Sequence, residues 1–560
     1  DHRDLHSFPT RRSSDLWNDT LQPASALTPS PTSNMRRVDR DVATIGRRLD
    51  RMLLTRKTVA MSRLESDFNA WQLSRNADGT MRGRPVFFER YGETYEHLGG
   101  GAYAAEIGDM GLAKINGLML DIALTCRNSS GADSVRCCEM FIDLLRHTLD
   151  QGFHAGSGMG TLHHLGYSMR DYYTAVYLMR DVLADHGLKQ DVQRAVEWFS
   201  GAGEMKHVPT SLGMDMDAFN TNLVGRLVSV LLMDDAILRT SYLRCFVRWF
   251  DNGLQLSDGL SGSFKPDGTA FHHCNHYPAY AVGGMRGAVN GLWLLHGTTF
   301  RVSQQAHENL RSCVMAMRIY CNVCHWPVSL CGRHPDGRGS LQPATFARLA
   351  ECGTPNATCA VDTAVVAAYK RLTADAPTSK FLQLAIDAEN APTGHWAFPY
   401  SCLDVHRRSD WMLAVKGHSR YIWNTEIYRG CNLYGRYLNY GNIQVMLPSQ
   451  SGFSHDGWDW NHFPGTTSTL LPLSSLRADI GNIGDDSGYE EMLLSDESFC
   501  NGIALSDNGA WGMVLHSHDK YDGTLRAHKS VFCFDNRIVC LGSDIRNQTD
   551  AHTITPLCQE

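Results

Sequence analysis

The chain has 560 residues, too many for one hydrophobic core, so two or more domains are expected. Its 43% hydrophobic and 20% charged residues are ordinary for a soluble globular protein, and no run of about eighteen apolar residues proposes a membrane span. A net charge of −7 argues against a nucleic-acid binder, whose footprint is broadly basic, and any polyanionic partner would need a local cationic site. Seventeen cysteines are scattered without the spacing of a disulfide scaffold and read mainly as small buried hydrophobes.

In chain order, residues 1–16 include SFPTRRSSDL at Ser7–Leu16, which looks like a translated sequencing adapter and is set aside from fold reasoning. Residues 17–40, rich in Pro, Ser and Thr at their start, read as a linker. Over 41–390 the apolar residues recur with helical period, for example in Tyr172–His186, Asp191–Ser200, Phe219–Asp234, Ser241–Asp251, Ala279–His296, Val302–Cys324 and Asp362–Leu372. Glycine or proline punctuates most of these helices, which suits a helical solenoid or toroid, with no repeat strict enough to assign a class. Over 391–560 the texture turns to period-two alternation, as in Trp396–Lys416 and Gly441–Leu447. Val531–Cys533 and Ile538–Leu541 flank Asp535-Asn536, a predicted hairpin turn. The expected fold class is α+β multidomain, a large α domain followed by an antiparallel β-sandwich, the latter expected to be cut short.

Three segments carry candidate chemistry. In Pro266–Tyr280 (PDGTAFHHCNHYPAY), Pro278 suits the first turn of a helix, leaving His272, His273 and His276 on the entering loop and Tyr280 in the first turn. On spacing alone these histidines could equally be structural or metal-binding. Ser329–Gly337 is a Gly/Pro-bounded loop presenting Arg333 and His334, which by itself also reads as a solvated turn. Asn424–Tyr437 carries Glu426 on a β element, where a lone glutamate is usually surface. His163 and His164 lie on another Gly-flanked stretch.

These segments, with Trp458-Asp459-Trp460-Asn461 and Pro464-Gly465, resemble the chondroitin sulfate ABC lyases within the chondroitin/hyaluronate/xanthan lyase family, from roughly residue 80 onward. The resemblance implies an incomplete α/α toroid followed by antiparallel β-sandwich domains. It also implies β-elimination on glycosaminoglycans such as chondroitin and dermatan. Carried over residue by residue, it places the catalytic tetrad on His273, Tyr280, Arg333 and Glu426, with His163 as an additional base. His272, His164, Asn275, His334 and Arg436 are the candidate substrate contacts. Cys274 and His276 depart from the family pattern. No metal site and no required cofactor are expected, although a divalent cation such as calcium is compatible. A periplasmic or secreted monomer is expected.

Tyrosine's ordinary pKa near 10 is too high for a good base at neutral pH, and Arg333 is expected to lower it. Rival readings are a hyaluronate- or xanthan-type lyase, a toroid glycoside hydrolase using Asp215, Asp217 or Glu426, and a catalytically dead glycan-binding module. Cys321-Asn322-Val323-Cys324-His325 matches a haem-attachment pattern, but it falls in an apolar run read as helical, which argues against haem.

Overall fold

The computed structural model describes residues 34–88, 104–157, 162–334, 339–373, 380–408, 411–428, 433–447, 457–478, 487–488 and 492–559. The first helix, α1 (Met35–Leu53), opens at Asn34, whose side chain accepts from Arg37 N–H, so it begins inside the segment read as linker. The antiparallel turn β1 (Ser74–Arg75) and β2 (Met81–Arg82) follows α2 (Met61–Asn69), and α3 (Ala104–Asp109) leads to the long α4 (Leu112–Asn128) and α5 (Ala132–Asp150). Then come α6 (Leu162–Leu178), α7 (Arg180–Asp185), α8 (Lys189–Phe199), α9 (Leu223–Leu231) and α10 (Ala236–Gly253). The helical half closes with α11 (Pro278–Leu295), α12 (Gln304–Met317), α13 (Pro343–Ala350) and α14 (Thr363–Leu372).

Helices neighbouring in sequence pack as neighbours in space, which buries one continuous core from Val38 to Leu372 and on to Phe398 and Met412. The arc is drawn together where α1 meets α11. Arg48 there donates to the carbonyls of Leu294 (3.0 Å) and His296 (2.7 Å), a cation on the negative end of the α11 dipole.

The helix expected over Val302–Cys324 stops at Met317. Residues 321–325 instead form a tight turn, with Asn322 and His325 exchanging backbone hydrogen bonds at 2.8 and 2.9 Å around Val323 in the left-handed region (φ 54°). Cys321 is buried, and its thiol faces the carbonyls of Val323 and His325, an inward setting unsuited to haem attachment.

From residue 394 the chain forms two four-stranded antiparallel sheets. One has the order β3 (Gly394–Phe398), β4 (Leu403–Arg408), β5 (Trp411–Lys416) and β7 (Asn442–Met446), with the short β6 (Ile427–Tyr428) outside it. After the short β8 (Ser468–Thr469) and β9 (Ser487–Gly488), the other runs β10 (Cys500–Leu505), β11 (Asn508–His516), β12 (Arg526–Phe534) and β13 (Arg537–Arg546). The β12–β13 hairpin turns at Asp535-Asn536 as expected. Phe534 pairs with Arg537, and Asp535 takes φ 51°, the sign a two-residue hairpin turn requires.

The helical and sheet halves share polar fastenings. Arg407 of β4 donates to the carbonyls of Ile319 and Cys321 (3.0 and 2.7 Å), and Val328 N–H donates to Gln444 Oε1 (2.8 Å). Phe271 and Val328, from the helical half, are buried in the core of the sheet half. Each fastening satisfies a group that the junction buries, so the halves are held in one register. Among the described residues no helix is long and apolar enough to cross a membrane.

Candidate active site

The loop before α11 is built around an uncommon turn. His272 and Asn275 exchange backbone hydrogen bonds (2.9 and 3.3 Å), and between them His273 and Cys274 both sit in the left-handed region (φ 51° and 55°). Neither is glycine, so the turn costs about 1–2 kcal/mol per residue, a strain that surrounding contacts must hold. Asn275 supplies much of that hold. It is fully buried, its amide donates to Tyr277 Oη (3.1 Å) and the Trp423 carbonyl (3.0 Å), and its Oδ1 accepts from His276 N–H (2.7 Å). Asn275, expected to touch substrate, is therefore a buried brace. His276 points away from the other two imidazoles, its Nδ1 2.7 Å from Ser401 Oγ, so the three histidines do not form one metal-binding set.

Pro278 opens α11 as expected and places Tyr280 in its first turn, with its ring centroid 5.4 Å from that of His273 and 5.3 Å from that of His334. The short 3-10 turn Val328–Leu330 then delivers Arg333 to the same phenol. Arg333 donates its backbone N–H to Tyr280 Oη, and its guanidinium carbon lies 5.5 Å from the ring centroid. Gly332 makes this approach possible: it takes φ 56°, and a Cβ there would sit 2.6 Å from Tyr280 Oη. Gly332→Ala is expected to displace the phenol, destabilise the fold by about 1–3 kcal/mol, and abolish most turnover. Thermal denaturation read beside the rate checks it, and normal turnover would show that the close approach is dispensable.

The carboxylate comes from the sheet half. Glu426 is fully buried, with Oε1 accepting from Arg333 Nη1 (3.1 Å), and Oε1 and Oε2 lying 3.2 and 3.3 Å from His273 Nδ1. A glutamate at the edge of a short strand, as Glu426 is just before β6, would ordinarily be solvated. This one is buried because two cation-capable side chains meet it. His273 and Arg333 keep 19% and 22% of their side-chain surface exposed, so the cluster has an open side.

His272, another expected substrate contact, is buried beneath this layer, its Nε2 3.3 Å from Asp217 Oδ1. Tyr167 donates its hydroxyl to the same oxygen (2.5 Å). Burial works against both ionised partners, yet His272 is held above its ordinary pKa by Asp217, and Asp217 well below its own by His272 and Tyr167. Asp217 contributes stability above its unfolded pKa of about 3.9 and loses it as pH falls toward its lowered folded value. His272 contributes fully below about 6.5 and loses it as pH rises through its raised folded value. Asp217→Asn is therefore expected to cost about 3 kcal/mol near pH 5.5 and clearly less at alkaline pH, as urea melts at the two pH values would show. An equal loss at both would mean that the pair is not ionised.

The phenol corrects an expectation. Arg333 does pull the Tyr280 pKa down, but burial first and Glu426 second push it up harder, and the net direction is well above the ordinary value. The reason is the setting: the phenol is buried, and the Glu426 carboxylate beside it disfavours a second negative charge more than Arg333 favours it. Arg436 also lies away from a substrate face. It is buried, its guanidinium 3.5 Å from the Tyr521 ring centroid, and it donates to the Ser475 carbonyl. His163 and His164 fall in the first turn of α6 rather than on a loop, and their side chains lie outside the described residues. Sequence reasoning named Asp217 only as a candidate acid of the rival hydrolase reading, gave Tyr167 no part in this site and assigned no role to Gly332. No local spacing links either side chain to His272.

A phenol, a guanidinium, an imidazole and a buried carboxylate thus meet at one junction. A family model described as "Lyase, catalytic" matches residues 25–379, and one described as "Polysaccharide lyase family 8, super-sandwich domain" matches 393–559. The chain belongs to polysaccharide lyase family 8. It is 39% identical to a chondroitin sulfate ABC exolyase of Bacteroides thetaiotaomicron, covering 94% of this chain and 55% of the relative. It is 34% identical to a chondroitin sulfate ABC exolyase of Proteus vulgaris, covering 89% and 52%. The chain therefore spans about half the length of these curated relatives. A Paenibacillus xanthan lyase structure superposes with a TM-score of 0.65 at 16% identity, over 97% of this chain and 49% of that one, a likeness of fold. The family 8 lyase fold is a helical toroid followed by antiparallel sandwich sheets, in agreement with the two halves observed.

Proposed function

We propose that this family 8 lyase cleaves chondroitin-type glycosaminoglycans by β-elimination at the hexosamine–uronate linkage, leaving a 4,5-unsaturated uronate. The observation that carries this reading is the convergence of Tyr280, Arg333 and His273 on Glu426 at a junction with an open side. Elimination removes the proton at C5, beside a carboxylate that is already negative. The site must therefore stabilise a doubly charged enolate-like species, much as an oxyanion hole does. His273 faces the substrate carboxylate and the C5 region, held in place by Glu426. Tyr280 as phenolate takes the C5 proton and, as phenol, returns a proton to the leaving oxygen when the C4–O bond breaks. Arg333, tied to Glu426, fixes the phenolic oxygen through its backbone N–H. His334, beside the phenol, is a substrate contact.

A hydrolase would need two carboxylates free to act as acid and base. Asp217 and Glu426 are both buried and spent on cationic partners. The elimination requires no metal, and a calcium effect would act on the polyanion rather than on the bond being broken. The tetrad comes from one chain, which fits a monomer, and a large polyanionic polymer fits a secreted or periplasmic enzyme. The names of both relatives favour exolytic release of small products.

In glucuronate the C5 proton and the C4 oxygen share a face that Tyr280 serves. In iduronate the proton lies on the opposite face, for which His163 is the proposed base. Separate incubations with chondroitin, dermatan and hyaluronan are expected to give ultraviolet-absorbing unsaturated products from the first two. His163→Ala should lose dermatan cleavage by about 10²-fold or more while keeping chondroitin cleavage. Equal losses on both would sink the two-face assignment, and shortened chains lacking the new double bond would sink the lyase reading.

A further inference from the structure

A second cluster lies away from the elimination site, between the two sheets. His395 of β3 and His406 of β4 are cross-strand partners, and Cys533 of β12 reaches them from the facing sheet. All three are buried, and one potential ligand atom from each lies within 4.8 Å of the other two. The outer ring nitrogens are already committed. His395 Nε2 lies 2.8 Å from Asp404 Oδ2, and His406 Nε2 lies 2.8 Å from the Asp535 carbonyl oxygen. A carboxylate and a carbonyl both accept, so both rings carry their proton on Nε2. Both Nδ1 lone pairs then point inward, facing each other across 3.4 Å. Two acceptors so placed repel each other unless something positive sits between them.

Room has been made for this arrangement. A Cβ at Gly509 would lie 2.2 Å from His395 Cδ2, and one at Gly502 would lie 1.9 Å from Asp404 Oδ2. Ligating histidines commonly donate their second N–H to a carboxylate or a backbone carbonyl, the setting seen for both rings. Two nitrogens bound tetrahedrally at about 2.0–2.1 Å stand about 3.3–3.4 Å apart, which matches the observed gap.

We propose that His395 Nδ1, His406 Nδ1 and Cys533 Sγ bind one thiophilic transition-metal ion, zinc or copper. Binding displaces the Cys533 thiol proton, so thiolate charge offsets that of the ion, and Asp404 acts as the outer partner of His395. The ion pins β3 and β4 to β12 and so clamps the two sheets together, at a place separate from the chemistry of Tyr280. A hard, oxygen-seeking ion such as calcium does not suit two imidazoles and a thiolate.

The whole chain, purified without added metal and dialysed, is analysed for elements beside Cys533→Ser. The expected result is about one equivalent of zinc or copper in the parent chain and less than about a tenth of that in the variant. In a second arm, metal-stripped protein is titrated with Co²⁺, Zn²⁺ and Cu⁺ in turn. Cobalt should give an intense thiolate charge-transfer band in the parent chain and none in Cys533→Ser, zinc or cuprous ion should displace it, and the elemental analysis names the resident ion. Unchanged far-ultraviolet dichroism in Cys533→Ser shows that the variant has folded. If it does not fold, the charge-transfer band in the parent chain still decides the matter. Parent protein that retains no metal and gives no cobalt–thiolate band would overturn the proposal, as would a band that survives in folded Cys533→Ser. In that case a proton shared between the rings holds them together.

Discussion

Tyr280→Phe is expected to lose about 10²–10⁴-fold in kcat on chondroitin while remaining folded, because one oxygen both takes and returns the proton. The ring keeps its place between His273, His334 and the face beneath Arg333. What disappears is the acceptor for the Arg333 backbone N–H, worth about 1 kcal/mol of stability, so the melting temperature should move little. The parent enzyme offers a second readout. Since burial and Glu426 hold the phenol well above its ordinary value, only a minority of molecules carry phenolate at neutral pH. kcat/KM should therefore climb about tenfold per pH unit above neutrality rather than level off there. A flat profile, or turnover by Tyr280→Phe above about a tenth of the parent rate, would transfer the base role to another group.

The parts of this site differ in how far the sequence revealed them. His273 and Tyr280 share one segment, and Pro278 marks where loop becomes helix, so their proximity follows from local chain geometry alone. Arg333 and Glu426 sit in unremarkable loop and strand contexts, and only the family resemblance singled them out. Nothing local says that Glu426 is buried, because its burial is created by two partners supplied from the helical half. The same non-local fact explains the error about Tyr280. Arg333 does lower the phenol's pKa, but the burial and the Glu426 carboxylate that outweigh it are properties of the fold. Asn275 and His272 look like exposed polar loop residues until the turn at His273 and Cys274 is seen to need a buried brace. The alternation of helices and then strands was legible because period survives in one dimension. The end of α12 was not, since the apolar residues after Met317 continue the pattern while the backbone turns away.

Glu426→Gln separates positioning from proton transfer, and its direction on the pH axis is the unusual part. The substitution keeps shape and some hydrogen bonding but deletes the only carboxylate shown between Arg333 and His273 among the described residues. Removing one partner of a buried ion pair typically costs about 3–5 kcal/mol, so the variant should melt measurably earlier than the parent. Turnover should fall by about 10²-fold or more as His273 and Arg333 lose their common anchor. The phenol responds in the opposite sense. Glu426 is the second-largest influence raising the Tyr280 pKa, after burial, and its loss also frees the Arg333 charge to favour phenolate. The rising limb of the residual kcat/KM profile is therefore expected to move to lower pH, even as its height drops. A purely structural role for Glu426 predicts the lower height with no displacement of the limb, and a limb displaced to higher pH would contradict the electrostatic account of the tetrad.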